Sequence, residues 1–540
     1  MEAAPAQVGT GTVRKLDDPP PDPSKRRKVA EGIFKLSDDL LIWAIFPLLT
    51  VKEQIVLLSL SSTLLTISKR PRAWANKKVF LSPIASYAVK KNVLDKGYHA
   101  FINLCIECQF EFYSIPMSII NVSGTLTTLS IIDCKDLFDV EVLQHLHKLV
   151  TLVIKGCSGI KNIDWGRLAE TLQILDVSRS TRLPLQDPNN PLPQSLTKLN
   201  LSSCFQVHRL DFLGNLPHLR TLILTNCYDV TDLEPLKFFH SLQTLNLDGC
   251  YSIVDISPLG DVHTLSDLSL RNLSKLLDVS PLAKLKIQNL NLRGCRQLEN
   301  LQPLEGIKTL QNLDVSNCKN VKDIAALQPN GSLHTLDLSH TSVAEVSLPL
   351  NLQEIQLGFC GRLTRFLLVY HSKLHTLNLS GCGNLSEVSI EGMPNLHSLD
   401  LSHTSVARVF LGYLPSLMVI NLSWCTELSD VLFLVQLPVL KKLDLSRTKL
   451  LDVSPLTKVS TLTELNLSRC DRLSKLGDGF SNLRHLNLSY CTRLDKSKVE
   501  EICTLESLDI TDSFDGLSPV NILFKELSLV CSLPKCNVRR

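Results

Sequence analysis

Cysteine returns at a fixed interval along this chain. Cys204, Cys227 and Cys250 are spaced 23 residues apart, and twelve of the seventeen cysteines, from Cys134 to Cys491, share one repeat phase. Thiols could do redox chemistry, bind a soft metal or cross-link, but a structural metal site needs ligands clustered at short spacing. Cys105-x-x-Cys108 is the one such pair, and no second pair stands at zinc-finger spacing from it. It reads as a structural thiol pair, and the periodic cysteines read as small buried apolar groups of a reducing compartment. The fourteen histidines are scattered, several of them, such as His340 and His403, at variable positions of the period. No phosphate-binding glycine loop, G-x-S-x-G elbow, H-E-x-x-H pair or dinucleotide glycine fingerprint occurs. The chain therefore reads as a non-enzyme with no cofactor and no metal, and the chemistry left to it is recognition.

Residues suited to recognition also keep the period. Immediately before the cysteine phase, early units carry small residues: Ser203, Asn226, Gly249, Asn272, Gly294 and Asn317. Later units carry Phe359, His403, Trp424, Arg447, Arg469 and Tyr490 at that place. Trp, Tyr and Arg are the types most enriched at binding hot spots, so these six are the candidate partner-binding residues. Ordinary drift between repeats is the alternative reading.

The element that must position them is set by leucine. Leu219-x-x-Leu222-x-Leu224-x-x-Cys227 is followed by Leu242-x-x-Leu245-x-Leu247-x-x-Cys250, and over most of the ladder the spacing is 21 to 24 residues. Numbering each unit from its first Leu, positions 1, 4 and 6 are apolar, 9 is the cysteine phase and 8 is the variable recognition position. A unit this small cannot bury its own apolar face, so neighbours must stack and the array is a solenoid. First positions run from Leu126 to Leu505, and Phe524 opens a degenerate last unit, giving about 19 repeats. Parallel strands about 4.8 Å apart give an inner face on the order of 90 Å long. A second correlation runs through the units: Asn at position 5 goes with Cys at position 9, as in Asn466 and Cys470, whereas Asp goes with Thr or Ser, as in Asp444 and Thr448. A donor matched to a carboxylate within the unit would account for it.

These motifs resemble the leucine-rich repeat family over roughly residues 120 to 531. The resemblance implies an α/β fold class, a horseshoe solenoid with parallel strands on its concave face, and the recognition row on the concave rim. Return segments such as Asp255-Ile-Ser-Pro-Leu259 and Asp278-Val-Ser-Pro-Leu282 are similar to the class found in bacterial internalins and phosphatase-regulatory proteins. The position-9 cysteine is similar to the class common in F-box proteins, so the repeats are a hybrid.

Ahead of the array the composition shifts twice. Residues 1–32 are polar and Pro-rich and read as a disordered tail, in which Lys25, Arg26, Arg27 and Lys28 resemble a nuclear import signal. Residues 33–80 read as a small helical domain, with Ser37 capping a first helix and Thr50 with Glu53 forming a capping box for a second. This segment resembles an F-box through Leu36, Leu40, Leu41, Ile45, Phe46 and Leu49, closed by Trp74, although Ser37 stands where that motif has Pro. A plain helical cap on the first repeat is the other reading. Residues 81–125 read as a transition, 126–531 as the repeats and 532–540 as a C-terminal tail.

The net charge of +3 over 540 residues gives no global attraction to nucleic acid or anionic lipid. With no apolar signal core at the N-terminus and no apolar run long enough to cross a bilayer, the expected location is nucleus or cytoplasm. The reading is a non-enzymatic receptor that holds a protein partner on its repeats. The F-box resemblance implies a cullin-RING ubiquitin ligase adaptor as second partner. The alternative is a scaffold or phosphatase-regulatory type of subunit with no ubiquitin link.

Overall fold

The computed structural model describes residues 78–81, 103–107, 113–115, 120, 124–168, 170–183, 185, 187, 189–214, 216–494, 502, 504–512 and 537–539. The basic cluster at 25–28 and the F-box-like Leu36, Leu40, Leu41, Ile45, Phe46 and Leu49 lie outside them, as do Cys108 and Phe524.

Alternation along each short strand decides which residue goes inside. In Thr221–Ile223, Thr244–Asn246 and Glu464–Asn466 the central leucine is buried and its neighbours face out half-buried. Pairing is parallel and in register, Leu222 against Leu245 and Leu245 against Leu268, so like residues stack on like. Positions 1, 4 and 6 of neighbouring units thereby close into one continuous apolar core, in which Leu219, Leu222 and Leu224 are all fully buried. Every unit from Leu126 to Leu505 contributes a strand, from Thr128–Ile132 to Ser507–Asp509.

The sheet is longer than the ladder at both ends. Lys78–Leu81 pairs with Asn103–Glu107, which pairs with Thr128–Ile132, so the stretch expected to be a transition already carries rungs. The apolar run Val79-Phe80-Leu81 lacks the leucine spacing that marks the other units, which hid it. At the other end Asn537–Arg539 pairs directly with Ser507–Asp509. Part of the expected C-terminal tail is therefore the next rung of the sheet. Among the described residues the sheet has 21 strands.

Among the described residues most return segments are single 3-10 turns. Ser257–Asp261, Ser280–Lys284 and Ser454–Lys458 each start with a Pro in the first turn, which suits a tight turn and discourages a longer helix. The Asp of the D-x-S-P-L motif secures the entry: Asp255 Oδ1 accepts from the Ser257 amide at 2.8 Å and from its hydroxyl at 2.6 Å. In three successive units that lack this motif, the return path becomes a second parallel sheet of Arg365–Val369, Glu387–Glu391 and Arg408–Leu411. Their alternating sequences bury Phe366, Leu368, Val388 and Ile390 and turn Leu367, Val369 and Phe410 to solvent.

The periodic cysteines are explained by the stack. Each of the eleven free sulfurs donates to the position-6 carbonyl of the preceding unit, Cys227 to Leu201 at 3.2 Å and Cys250 to Leu224 at 3.1 Å. Burial pushes the thiols of Cys204 and Cys250 up to about 12, which leaves them unreactive at neutral pH. Cys134 departs from the expectation of free buried thiols, being disulfide-bonded, while the other eleven are free.

Candidate functional site: the position-8 row

One backbone device recurs in most units, those with Asp or Asn at position 5. The position-5 side chain bends back on its own chain: Asp444 accepts from the Ser446 amide at 2.8 Å, Asn466 from Ser468 at 3.1 Å and Asn487 from Ser489 at 2.9 Å. The position-8 amide then donates to the next unit, Trp424 to the Ser446 carbonyl at 2.8 Å and Arg469 to the Ser489 carbonyl at 2.8 Å. The inter-unit bond from the position-8 amide accompanies a positive φ there, also in units without Asp or Asn at position 5, such as that of Asn226. From Asp133 at 54° through Asn226 at 60° to Tyr490 at 60°, the residue there is left-handed whatever its type.

This changes what the early units mean. Asn226, Gly249, Asn272, Gly294 and Asn317 are more than small: they are the types that tolerate a left-handed backbone. Other L-residues pay about 1–2 kcal/mol there. His340, Phe359, His403, Trp424, Arg447, Arg469 and Tyr490 all adopt it, at φ between 56° and 62°. The late units therefore carry large side chains at a place where the backbone disfavours them.

The structure brings the six candidates onto one edge of the solenoid, and it adds His340, a variable-position histidine that the sequence alone does not place in the row. His340 stacks on Phe359 with ring centres 4.6 Å apart. The Phe359 ring leans over Gly381, where an added Cβ would meet it at 2.5 Å, so that glycine answers both to its φ of 71° and to the ring. His403 stacks on Trp424 at 5.1 Å, and the Arg447 guanidinium lies over the same indole, 4.2 Å from its ring centre. Arg469 lies 4.1 Å over Tyr490, whose hydroxyl bonds to the Asp512 carboxylate, an interaction that raises the phenol above its ordinary range. Trp424 is 42% exposed and Phe359 55%, so neither is a core residue.

The expected pairing of positions 5 and 9 within a unit does not occur. Both ladders run along the stack instead. The Asn466 side chain donates to Asp444 at 2.8 Å and that of Asn200 to Asp176 at 3.0 Å, an Asn following an Asp in the next unit. At position 9 the Thr448 hydroxyl donates to its own unit's Leu445 carbonyl at 2.8 Å and meets the sulfur of the next unit's Cys470 at 3.4 Å. The correlation is real, and its partner is the neighbouring rung.

A second aromatic ladder lies at position 10 of early units. Phe205, Tyr228 and Tyr251 stack with ring centres 5.4 Å apart at each step. The signal was present as an aromatic directly after each of Cys204, Cys227 and Cys250. On the strand face itself a shallow groove is lined by Asp267, Asp314, Asp337 and Glu354. The middle of that face is thus anionic, whereas the late position-8 edge is cationic and aromatic. Among the described residues no three His, Cys, Asp or Glu side chains converge as a metal site, and no helix is long and apolar enough to cross a membrane.

A family model described as leucine-rich repeats (2 copies) matches residues 194–238. Among solved structures, the chain is similar to an internalin of Listeria monocytogenes at 18% identity, over 57% of this chain and 83% of that one, with a TM-score of 0.32. It is also similar to a leucine-rich repeat protein of Leptospira interrogans at 17% identity, over 85% of this chain and 100% of that one, with a TM-score of 0.39. No curated protein sequence matches the chain. The matched repeats and the stacked in-register strands agree on one architecture, a leucine-rich repeat solenoid.

Proposed function

We propose that this leucine-rich repeat chain is a non-enzymatic receptor that holds a protein partner against the late position-8 row. The observation that carries the reading is the strain. Seven large or cationic residues occupy left-handed positions that Gly or Asn would fill at lower energy, and strained backbone of this kind collects at functional sites. The same rows argue against RNA as the partner. Stacked and guanidinium-covered rings present edges to solvent, and base stacking needs open ring faces.

The reading separates binding from folding. Once a partner has been captured by affinity purification, Trp424→Ala should weaken its binding by about 1–3 kcal/mol and leave thermal melting nearly unchanged. Leu467→Ala, which empties a fully buried core position, should cost about 2–5 kcal/mol of stability. Equal destabilisation by both changes with binding intact would make the indole a packing residue.

The finer proposal is that residues 36–74 dock a cullin-RING ligase adaptor, so that the captured partner is a ubiquitination substrate. Purified adaptor should bind the full chain and not one lacking residues 1–77, a cut that spares the first rung at Lys78–Leu81. Failure of the full chain to bind adaptor promotes the scaffold reading. The basic cluster at 25–28 supports entry into the nucleus; changing Lys25, Arg26, Arg27 and Lys28 to Ala should move a fluorescent fusion toward the cytoplasm, and an unmoved fusion removes the import reading.

A further inference from the structure

Within the late row, the two arginines lean apart. Arg447 folds toward the N-terminal side onto Trp424, and Arg469 folds toward the C-terminal side onto Tyr490, although they stand on adjacent rungs. Their divergence opens a cleft of about 410 Å³, walled by Trp424, Arg447, Arg469, Arg472 and Tyr490. Lys449 also reaches the cleft but is paired with Glu427 at 3.4 Å. Asp471 is the lining carboxylate, so three guanidiniums against one acid leave a net charge of +2.

Those guanidiniums are unspent. Some exposed arginines of the array hold carboxylates, Arg365 with Glu387 at 3.0 Å and Arg484 with Glu506 at 3.0 Å. Among the described residues no carboxylate forms an ion pair with Arg447, Arg469 or Arg472. A guanidinium stacked face-on to a ring keeps its planar edge of N–H donors free and fixed in direction, which is the geometry that accepts an oxyanion in bidentate fashion. The aromatic rings thus act as holders that preorganise two forks on opposite sides of one space.

We infer that the cleft between Arg447 and Arg469 reads a phosphorylated serine or threonine in an extended segment of the protein partner. The inference rests on the receptor reading and names the chemistry of its partner. A phosphomonoester carries about −1.5 to −2 at neutral pH and several strong acceptor oxygens, which matches the net charge and can be gripped from both walls at once. A single carboxylate would leave one fork unmatched. A polyanion such as RNA is disfavoured, because each of the two rings already carries a guanidinium over a face that base stacking would need.

The test uses the full chain, immobilised, with a degenerate peptide library fixed at phosphoserine or phosphothreonine as probe and the same library unphosphorylated as reference. Retention of the phosphorylated library should exceed the reference about tenfold, a difference worth about 1.4 kcal/mol. Arg447→Gln and Arg469→Gln should each remove most of that preference with unchanged melting, while Arg365→Gln, on the opposite side of the repeat, should not. Equal retention of the two libraries overturns the inference. So does retention indifferent to both cleft changes, or displacement by poly-uridine RNA at lower concentration than by phosphopeptide. A protein captured through Trp424 whose retention survives phosphatase treatment overturns the phosphate site alone and leaves the receptor reading standing.

Discussion

At the scale of single residues, position 8 shows how one backbone requirement can be met or overridden. Asn226, Gly249 and Asn272 meet it, and Trp424, Arg447 and Arg469 override it. Alanine suits a left-handed backbone no better than tryptophan, so Trp424→Ala removes the ring without relieving strain. Asparagine relieves it. Trp424→Asn should therefore be more stable than Trp424→Ala by about 1 kcal/mol, as read in paired denaturant melts, because both lose the same ring. Equal stabilities would mean that the left-handed turn imposes no cost there. The six candidate residues were legible in the sequence from their type and phase. Their strain was not, although the recurrence of Asn and Gly at that same phase in early units was its signature. His340 reads from the sequence as a surface or binding-face histidine at a variable position, but not as one of the six.

At the scale of elements, each turn is held by a carboxylate or amide that bends onto the backbone it follows. Asp255 does this at the entry to Ser257–Asp261, and hydrogen bonds from the Ser257 hydroxyl and amide hold its carboxyl below the usual aspartate range. A carboxyl depressed by folding adds stability that is fully present above the ordinary aspartate value and is lost as pH falls through the lowered one. Asp255→Ala should accordingly melt below the unaltered chain at pH 7, and the gap should close as the pH is taken below the aspartate range. A gap that is constant with pH would assign the loss to the turn's shape and none to its charge. The D-x-S-P-L motif made these return turns legible in advance, Pro fixing their start. The second sheet at Arg365–Val369 and its two neighbours was not foreseen, because period-two alternation over five residues is easily read as part of a leucine ladder. The position-5 and position-9 correlation was read correctly as a pattern and wrongly as an intra-unit contact, since a sequence displays what lies within a repeat and conceals what faces it across 21 to 24 residues.

At the scale of the whole molecule, stacking made the architecture the most legible property of all: one leucine period dictated parallel, in-register rungs from Thr128–Ile132 to Ser507–Asp509. The ends were less legible because terminal units need not repeat the period, and the rungs at Lys78–Leu81 and Asn537–Arg539 lack it. The solenoid separates its surfaces by chemistry, with an acidic strand-face groove around Asp314 and Asp337 and a cationic, aromatic edge around Arg447 and Arg469. A partner of mixed charge can thus be oriented as well as held. The most direct test places a photo-cross-linking amino acid at exposed Thr492 beside the late row, and in a second chain at Tyr228 on the early aromatic ladder, and compares the adducts formed in cells. The late-row account predicts a discrete adduct from position 492 that is lost on Trp424→Ala and Arg469→Gln. A discrete adduct from position 228, with none from 492, would contradict it.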